Sequence, residues 1–288
     1  MRQRSISAVG VVIVGILPAV MGGPVFAAVF VVLFLMGLQE YNAMAANVGN
    51  APLKTGFVVI PAFALVALVK GGDQAAVGVA AFAVGAPLIW VMFRQDLNQA
   101  FVDWALTVGG SFYLGIPLVA AISLRSSDGT ISHDWLSNLA DSLRFGWDAN
   151  PRGLAWLLTT LIITWMGDTG AYLVGRTFGK HPMIPRISPK KTIEGLTGGL
   201  LCASITGVAG SQLFGLDIPI WAGFVFGLLI GAIGVFGDLV ESLLKRQAGV
   251  KDSGTLIPGH GGMLDRLDAL LFTWTAGWFL STFIDRWV

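Results

Sequence analysis

An all-α, polytopic integral membrane protein with about nine transmembrane helices is the fold class that this sequence predicts, on three observations. Only 12% of its 288 residues are charged, against about 25% in soluble domains. Hydrophobic residues make up 55% of the chain, and the mean hydropathy is +0.74. The apolar residues also fall in long runs, most of them near the roughly 20 residues that cross a bilayer as a helix. The net charge of +1 says little by itself, and nothing in the chain points to nucleic acid. Cys202, the single cysteine, lies in an apolar run. Neither a disulfide framework nor a thiolate zinc cluster is available, and a packed free thiol is expected.

In chain order the apolar segments are 6–20, 24–38, 56–69, 75–92, 105–124, 154–175, 195–214, 218–239 and 269–287. The basic start "MRQR" followed by an apolar run has the outline of a signal peptide, with "VFAA" as a cleavage site. Apolar character resumes at once and continues to Leu38, which predicts an uncleaved hairpin instead. Nine spans put the termini on opposite sides. With the N-terminus inside, Lys70, Arg125, Arg144, Arg152 and Arg286 lie outside, and the other thirteen of the 18 basic residues lie inside. That is the asymmetry of the positive-inside rule. The layout divides into N-terminal helices (1–124), an outer loop (125–152) and a site-bearing membrane region (153–288). In the outer loop Leu136, Leu139 and Leu143 recur at helical spacing beside Trp135 and Trp147, which predicts a helix lying on the membrane surface. Gly223, Gly227 and Gly231 fall every fourth residue, a face that lets a neighbouring helix approach closely.

Three stretches break the apolar rule, and the topology brings all three to the inner side. In "GDLVESLLKR" (Gly237–Arg246), Asp238, Glu241, Ser242 and Lys245 share one helical face. They offer oxygen ligands to a hard cation such as magnesium, or they form an ordinary amphipathic exit helix with a Glu241–Lys245 pair. In "PGHGGMLDRLD" (Pro258–Asp268), glycines allow a tight turn, and Asp265 and Asp268 open the last span. Helix capping explains either aspartate alone. It does not explain Lys251, Asp252, His260 and Arg266 crowding the same loop. The third stretch is "WMGDTGAYLVGRTFGKHPMIPRISPKKTIEG" (Trp165–Gly195). Asp168 lies inside an apolar span, where a charge costs about 2.5–3.5 kcal/mol, so a cavity, a cation or a lysine must offset it. Gly167 and Gly170 leave room around it, and Ala171, Tyr172 and Gly175 are expected on its face. The hypothesis is one polar cavity shared by Asp168, Asp238 and Asp265. Ser188 and Pro189 read as the cap and first residue of the next helix. Lys190 and Lys191 would then sit at a helix start, which suits a bound phosphate or serves topology alone.

"GRTFGK" departs from a P-loop in its glycine spacing and in the His181 that follows, and no GxSxG elbow or HExxH is present. Acidic ligands from two helices, an intramembrane aspartate and paired lysines suit metal-assisted phosphoryl or nucleotidyl transfer to a lipid. A cation-coupled transporter would spread its polar residues through several spans. A lipid kinase would share the site but transfer a terminal phosphoryl group.

The stretch Ser242–Asp268, "SLLKRQAGVKDSGTLIPGHGGMLDRLD", closely resembles the signature of the phosphatidate cytidylyltransferases, the CDP-diacylglycerol synthases. "GDTGAYLVGRTFGKH" and "SPKKTIEG" resemble that family's preceding blocks in the same order. The resemblance implies CTP and membrane phosphatidate as substrates, CDP-diacylglycerol and pyrophosphate as products, and magnesium, with a second cation left open. It implies an inner-membrane enzyme whose site faces the cytoplasm, with a homodimer left open. On it, Asp168, Asp238, Asp265, Asp268 and Lys245 are expected to be catalytic. Asp238, Asp265, Asp268 and Glu241 are expected at the metal. Lys190, Lys191, Arg246, Lys251, His260, Arg266 and Ser242 are expected against the substrates.

Overall fold

The computed structural model describes residues 14–69, 72–143, 150–255 and 261–287. Residues 14–21 are helical (α1) and stop at Gly22, whose φ of 67° no helix accommodates. There follow α2 (Gly23–Asn47), α3 (Gly56–Ala67), α4 (Asp73–Val91), α5 (Ala100–Arg125), α6 (Asp134–Leu143) and α7 (Pro151–Phe178). A hairpin of β1 (Pro182–Ile184) and β2 (Ser188–Thr192) then leads to α8 (Ile193–Leu213), α9 (Ile220–Gln247) and α10 (Leu264–Trp287). Among the described residues seven helices are long and apolar enough to span, and α3 is a shorter apolar helix. The first expected span falls largely outside the described residues, so the expectation of about nine agrees approximately.

α10 runs through the middle of the bundle, packed against α2, α5, α7 and α9. Phe30 meets the edge of Trp274 and Phe34 stacks on it, with ring centroids 5.2 and 6.4 Å apart. The N-terminal helices are thereby held against the helix that carries Asp265 and Asp268. The glycine face of α9 lies on α8 as its spacing predicts. A Cβ on Gly223 would come within 2.9 Å of Ser211 Oγ, and one on Gly227 or Gly231 would collide with Ala203. Gly167 and Gly170 serve the same end between α7 and α8, facing Ala203 and Cys202. They make room for a helix rather than for the carboxylate of Asp168.

The two ends of the bundle sort the charges. At one end Arg152 pairs with Asp285 at 2.6 Å. Arg125, 1% exposed, donates to the carbonyls of Ala19 and Val20 that end α1. A helix forms in this loop where one was expected, as α6, with Leu136 buried and Trp135 against Phe214. Arg144 and Trp147 lie outside the described residues. At the other end gather the end of α2, the α7–α8 hairpin, the end of α9 and the start of α10.

One element differs from expectation. Ser188 and Pro189 do not open a helix, because residues 188–192 pair with β1 in an antiparallel ladder, Pro182 opposite Thr192 and Ile184 opposite Ser188. Thr192 is the cap, its Oγ1 accepting from Gly195 N at 3.1 Å. Glu194 closes the base of the hairpin through His181 Nδ1 at 2.5 Å and the backbone N–H of Lys180 at 3.1 Å. Lys190 and Lys191 therefore lie on a strand leading into α8, before the helix dipole begins.

Candidate active site

A cavity of about 530 Å³ opens between α7, α8, α9 and the hairpin. Asp168, Ala171, Tyr172 and Gly175 form one wall, the face that helical spacing from Asp168 predicts. Lys190, Lys191 and Asp238 form the opposite side, among apolar neighbours such as Met183, Leu196 and Val235. Asp168 thus lines a cavity that it shares with lysines, on a helix long and apolar enough to span, so its charge need not face lipid. Lys191 Nζ lies 2.6 Å from Asp238 Oδ2, and Ser242 Oγ donates to Asp238 Oδ1 at 3.3 Å. At the rim Arg176 Nη1 donates to Tyr172 Oη at 3.0 Å.

One turn further along α9, Glu241 is fully buried, and neither carboxylate oxygen receives a hydrogen bond. Its nearest cation is Lys245 Nζ at 3.3 Å, and the Asp268 carboxylate lies beside it. Two carboxylates side by side in a low-dielectric interior call for positive charge or a shared proton. Lys245 serves both sides of the cluster, since it also holds Asp265 Oδ1 at 2.6 Å.

Asp265 is not among the residues that line the cavity, whereas the expectation was one cavity shared by Asp168, Asp238 and Asp265. Its Oδ2 accepts from Ser253 N at 2.8 Å, Ser253 Oγ at 2.9 Å and Gly262 N at 2.8 Å. A carboxylate at a helix start satisfies free N–H groups, and the Ser253 and Gly262 amides draw it there. Gly261 has φ +80°, and a Cβ on it would lie 2.5 Å from Asp265 Oδ2. Gly261 thus makes space for a carboxylate.

The remaining expected residues scatter. Arg246 is exposed and reaches the carbonyl of Ile187 at the hairpin tip at 3.4 Å. Lys251 and Arg266 are exposed at the same end. His260 lies outside the described residues. Sequence reading missed Glu40 of α2, whose carboxylate accepts from Met263 N and Leu264 N, both at 2.8 Å. Its signal was present: an acidic residue directly following an apolar segment is costly enough to need a partner. Sequence reading also passed over Ser253, which touches both Glu40 and Asp265.

Among the described residues no three acidic or imidazole side chains converge as a ready-made metal cage. The donor chemistry nonetheless fits a hard cation such as magnesium, which takes oxygen ligands and needs only one or two carboxylates beside substrate phosphates. The unpartnered oxygens of Glu241 beside Asp268 are the strongest such feature. Lysines stand on Asp238 and Asp265 where a cation would otherwise compete.

Residues 2–284 match the cytidylyltransferase family. The chain is 34% identical over 283 residues to a phosphatidate cytidylyltransferase of Synechocystis sp., covering 94% of this chain and 93% of that one. It is 43% identical over 126 residues to one of Staphylococcus saprophyticus and 45% identical over 128 residues to one of Staphylococcus aureus. Those two alignments cover 44% of this chain and 48% and 49% of the relatives.

Proposed function

The chain belongs to the cytidylyltransferase family, and from that premise we infer that it transfers CMP from CTP to phosphatidate, giving CDP-diacylglycerol and pyrophosphate. One observation carries the reading into the site: a largely apolar cavity, between helices long and apolar enough to span, that also presents two lysines and two aspartates. Apolar walls suit a lipid, and lysines suit the phosphates of both substrates.

In the reaction an oxygen of the lipid phosphate attacks the α-phosphorus of CTP. The bond from that phosphorus to the bridging oxygen of the β-phosphate breaks, and pyrophosphate leaves with the electron pair. The nucleophile is already an anion, so no side chain has to activate it. The chain's work is to bring two anions together and to stabilise the charge of the leaving group. Lys190 and Lys191 contact phosphates in the cavity, and Lys191 is freed for this when Asp238 finds another cation. Lys245 and Arg246 lie on the same end of α9. Asp168 orders the polar floor of the cavity where headgroup and nucleotide meet.

If magnesium binds, Asp238, Glu241 and Asp268 would be the carboxylates to hold it, and Asp265, which pairs with Lys245, would be a further oxygen donor. Magnesium would screen the phosphates and polarise the α-phosphorus. The lysine and arginine asymmetry between the two ends supports a site facing the cytoplasm in a cell membrane.

The test is purified protein in detergent with cytidine-labelled CTP, phosphatidate and magnesium. Labelled lipid and pyrophosphate in equal amounts are expected. Release of CDP with unlabelled lipid phosphate would instead identify a CTP-dependent lipid kinase.

A further inference from the structure

We propose that Glu40 is a positioning residue: a carboxylate delivered from α2 that sets the first turn of α10, and with it Asp265 and Asp268, for the transfer. The inference rests on the reading that those two aspartates belong to the site.

Glu40 Oε1 accepts from Met263 N and Oε2 from Leu264 N, each at 2.8 Å, across 223 and 224 residues of chain. Leu264 opens α10 and Met263 directly precedes it, at a helix start whose N–H groups have no partner within the helix. A residue within the loop could have capped them. Here the cap comes from another helix, so the angle at which α10 begins is tied to α2 and not to the loop alone. The loop is shaped around this carboxylate. A Cβ on Gly254 would lie 2.6 Å from Glu40 Oε1, and one on Gly262 would collide with both Glu40 oxygens.

Ser253 links the clamp to the site. Its hydroxyl lies 2.8 Å from Glu40 Oε2 and 2.9 Å from Asp265 Oδ2, while its N–H donates to the same Asp265 oxygen. One hydroxyl proton serves only one carboxylate at a time. Whatever Glu40 accepts therefore alters what Asp265 accepts, and Asp265 in turn holds Lys245. Glu40 is not among the residues lining the cavity. Its effect has to pass through these neighbours.

The deciding variant is Glu40→Gln. A carboxamide cannot accept from both backbone N–H groups, because one of its two heads is itself a donor. Turnover per folded molecule is expected to fall about 10- to 100-fold, the usual loss when an outer partner of a site residue is changed. The KM for CTP should change little, because no substrate contact is lost. Ser253→Ala should lower turnover in the same sense, and the double variant should be no worse than Glu40→Gln alone, since both remove one coupled unit. A purely structural cap would lower the melting temperature and the folded fraction but leave turnover per folded molecule intact. Turnover within about twofold of wild type in Glu40→Gln, beside an inactive Asp268→Asn, would overturn the inference alone. Full activity in Asp268→Asn would sink the site reading and this inference with it. If Glu40→Gln fails to fold, Ser253→Ala decides by the same two readouts.

Discussion

Lys191 Nζ and Asp238 Oδ2 stand 2.6 Å apart in the lining of the cavity, one on the hairpin and the other on α9. Both are about one quarter to one third exposed, so water reaches the pair and its strength is modest. A pair of this kind opens readily. In the proposed site it would leave Asp238 for a cation and Lys191 for a phosphate.

Lys191→Met therefore should act in two opposite directions. The KM for CTP should rise by about tenfold or more, the loss of one charge-assisted hydrogen bond worth about 1.5–3 kcal/mol. The magnesium concentration for half-maximal rate should fall, because Asp238 no longer has a competing cation. Steady-state rates across a magnesium series measure both. A CTP KM that does not move would remove Lys191 from phosphate binding.

Asp265→Asn should leave the protein folded and inserted while nearly abolishing turnover. The amide can still accept from some of the Ser253 and Gly262 donors. It cannot hold Lys245 as a carboxylate does. Near-normal turnover at saturating magnesium would place Asp265 in the loop scaffold only.

Asp168→Leu should insert at least as well as wild type, since an intramembrane charge costing about 2.5–3.5 kcal/mol is gone. Catalysis should fall sharply, because the cavity loses its polar floor opposite Lys191 and Asp238. Asp168→Glu keeps the charge one methylene further out and should retain partial activity. Membrane-fraction yield and turnover, measured on the same preparations, separate insertion from chemistry.

Gly227→Ala and Gly85→Ala should move stability in opposite directions. A methyl group at Gly227 meets the backbone of Ala203 and Ser204 on α8, so the α8–α9 contact must open and the melting temperature in detergent should drop. At Gly85 nothing lies within 4 Å of the new Cβ. Alanine there should be neutral or stabilising, by up to about 1 kcal/mol of helix propensity. Equal shifts in both would show that close helix approach is not what the α9 glycines provide.

The orientation of the site can be read with single cysteines placed in a Cys202→Ser background. A cysteine at Lys180, by the hairpin, should be protected from an impermeant thiol reagent applied outside intact cells. One at Ser127, beyond the other end of α5, should react. The reverse pattern would place the site on the outer face.

The apolar spans, the helix α6 and the polar end of the bundle were legible in the sequence because each depends on spacing within one segment. A run of about 20 apolar residues has one low-energy arrangement in a bilayer, and a glycine every fourth residue has one packed use. The face that runs from Asp168 to Gly175 followed from helical geometry alone. What only the tertiary structure decided are contacts between segments far apart in the chain. Sequence spacing places Asp265 and Asp268 on one helix, yet Asp265 turns to Lys245 and the loop while Asp268 turns to the buried Glu241. Lys190 and Lys191 looked like a helix start until the pairing of residues 182–192 made them a strand. That Glu40 needs a partner was legible, but which partner it takes was not, because its bonds span more than 200 residues. Local sequence sets what each helix is. Where its charges find partners is settled only when the helices pack, because a buried carboxylate takes whatever donor the fold brings within reach.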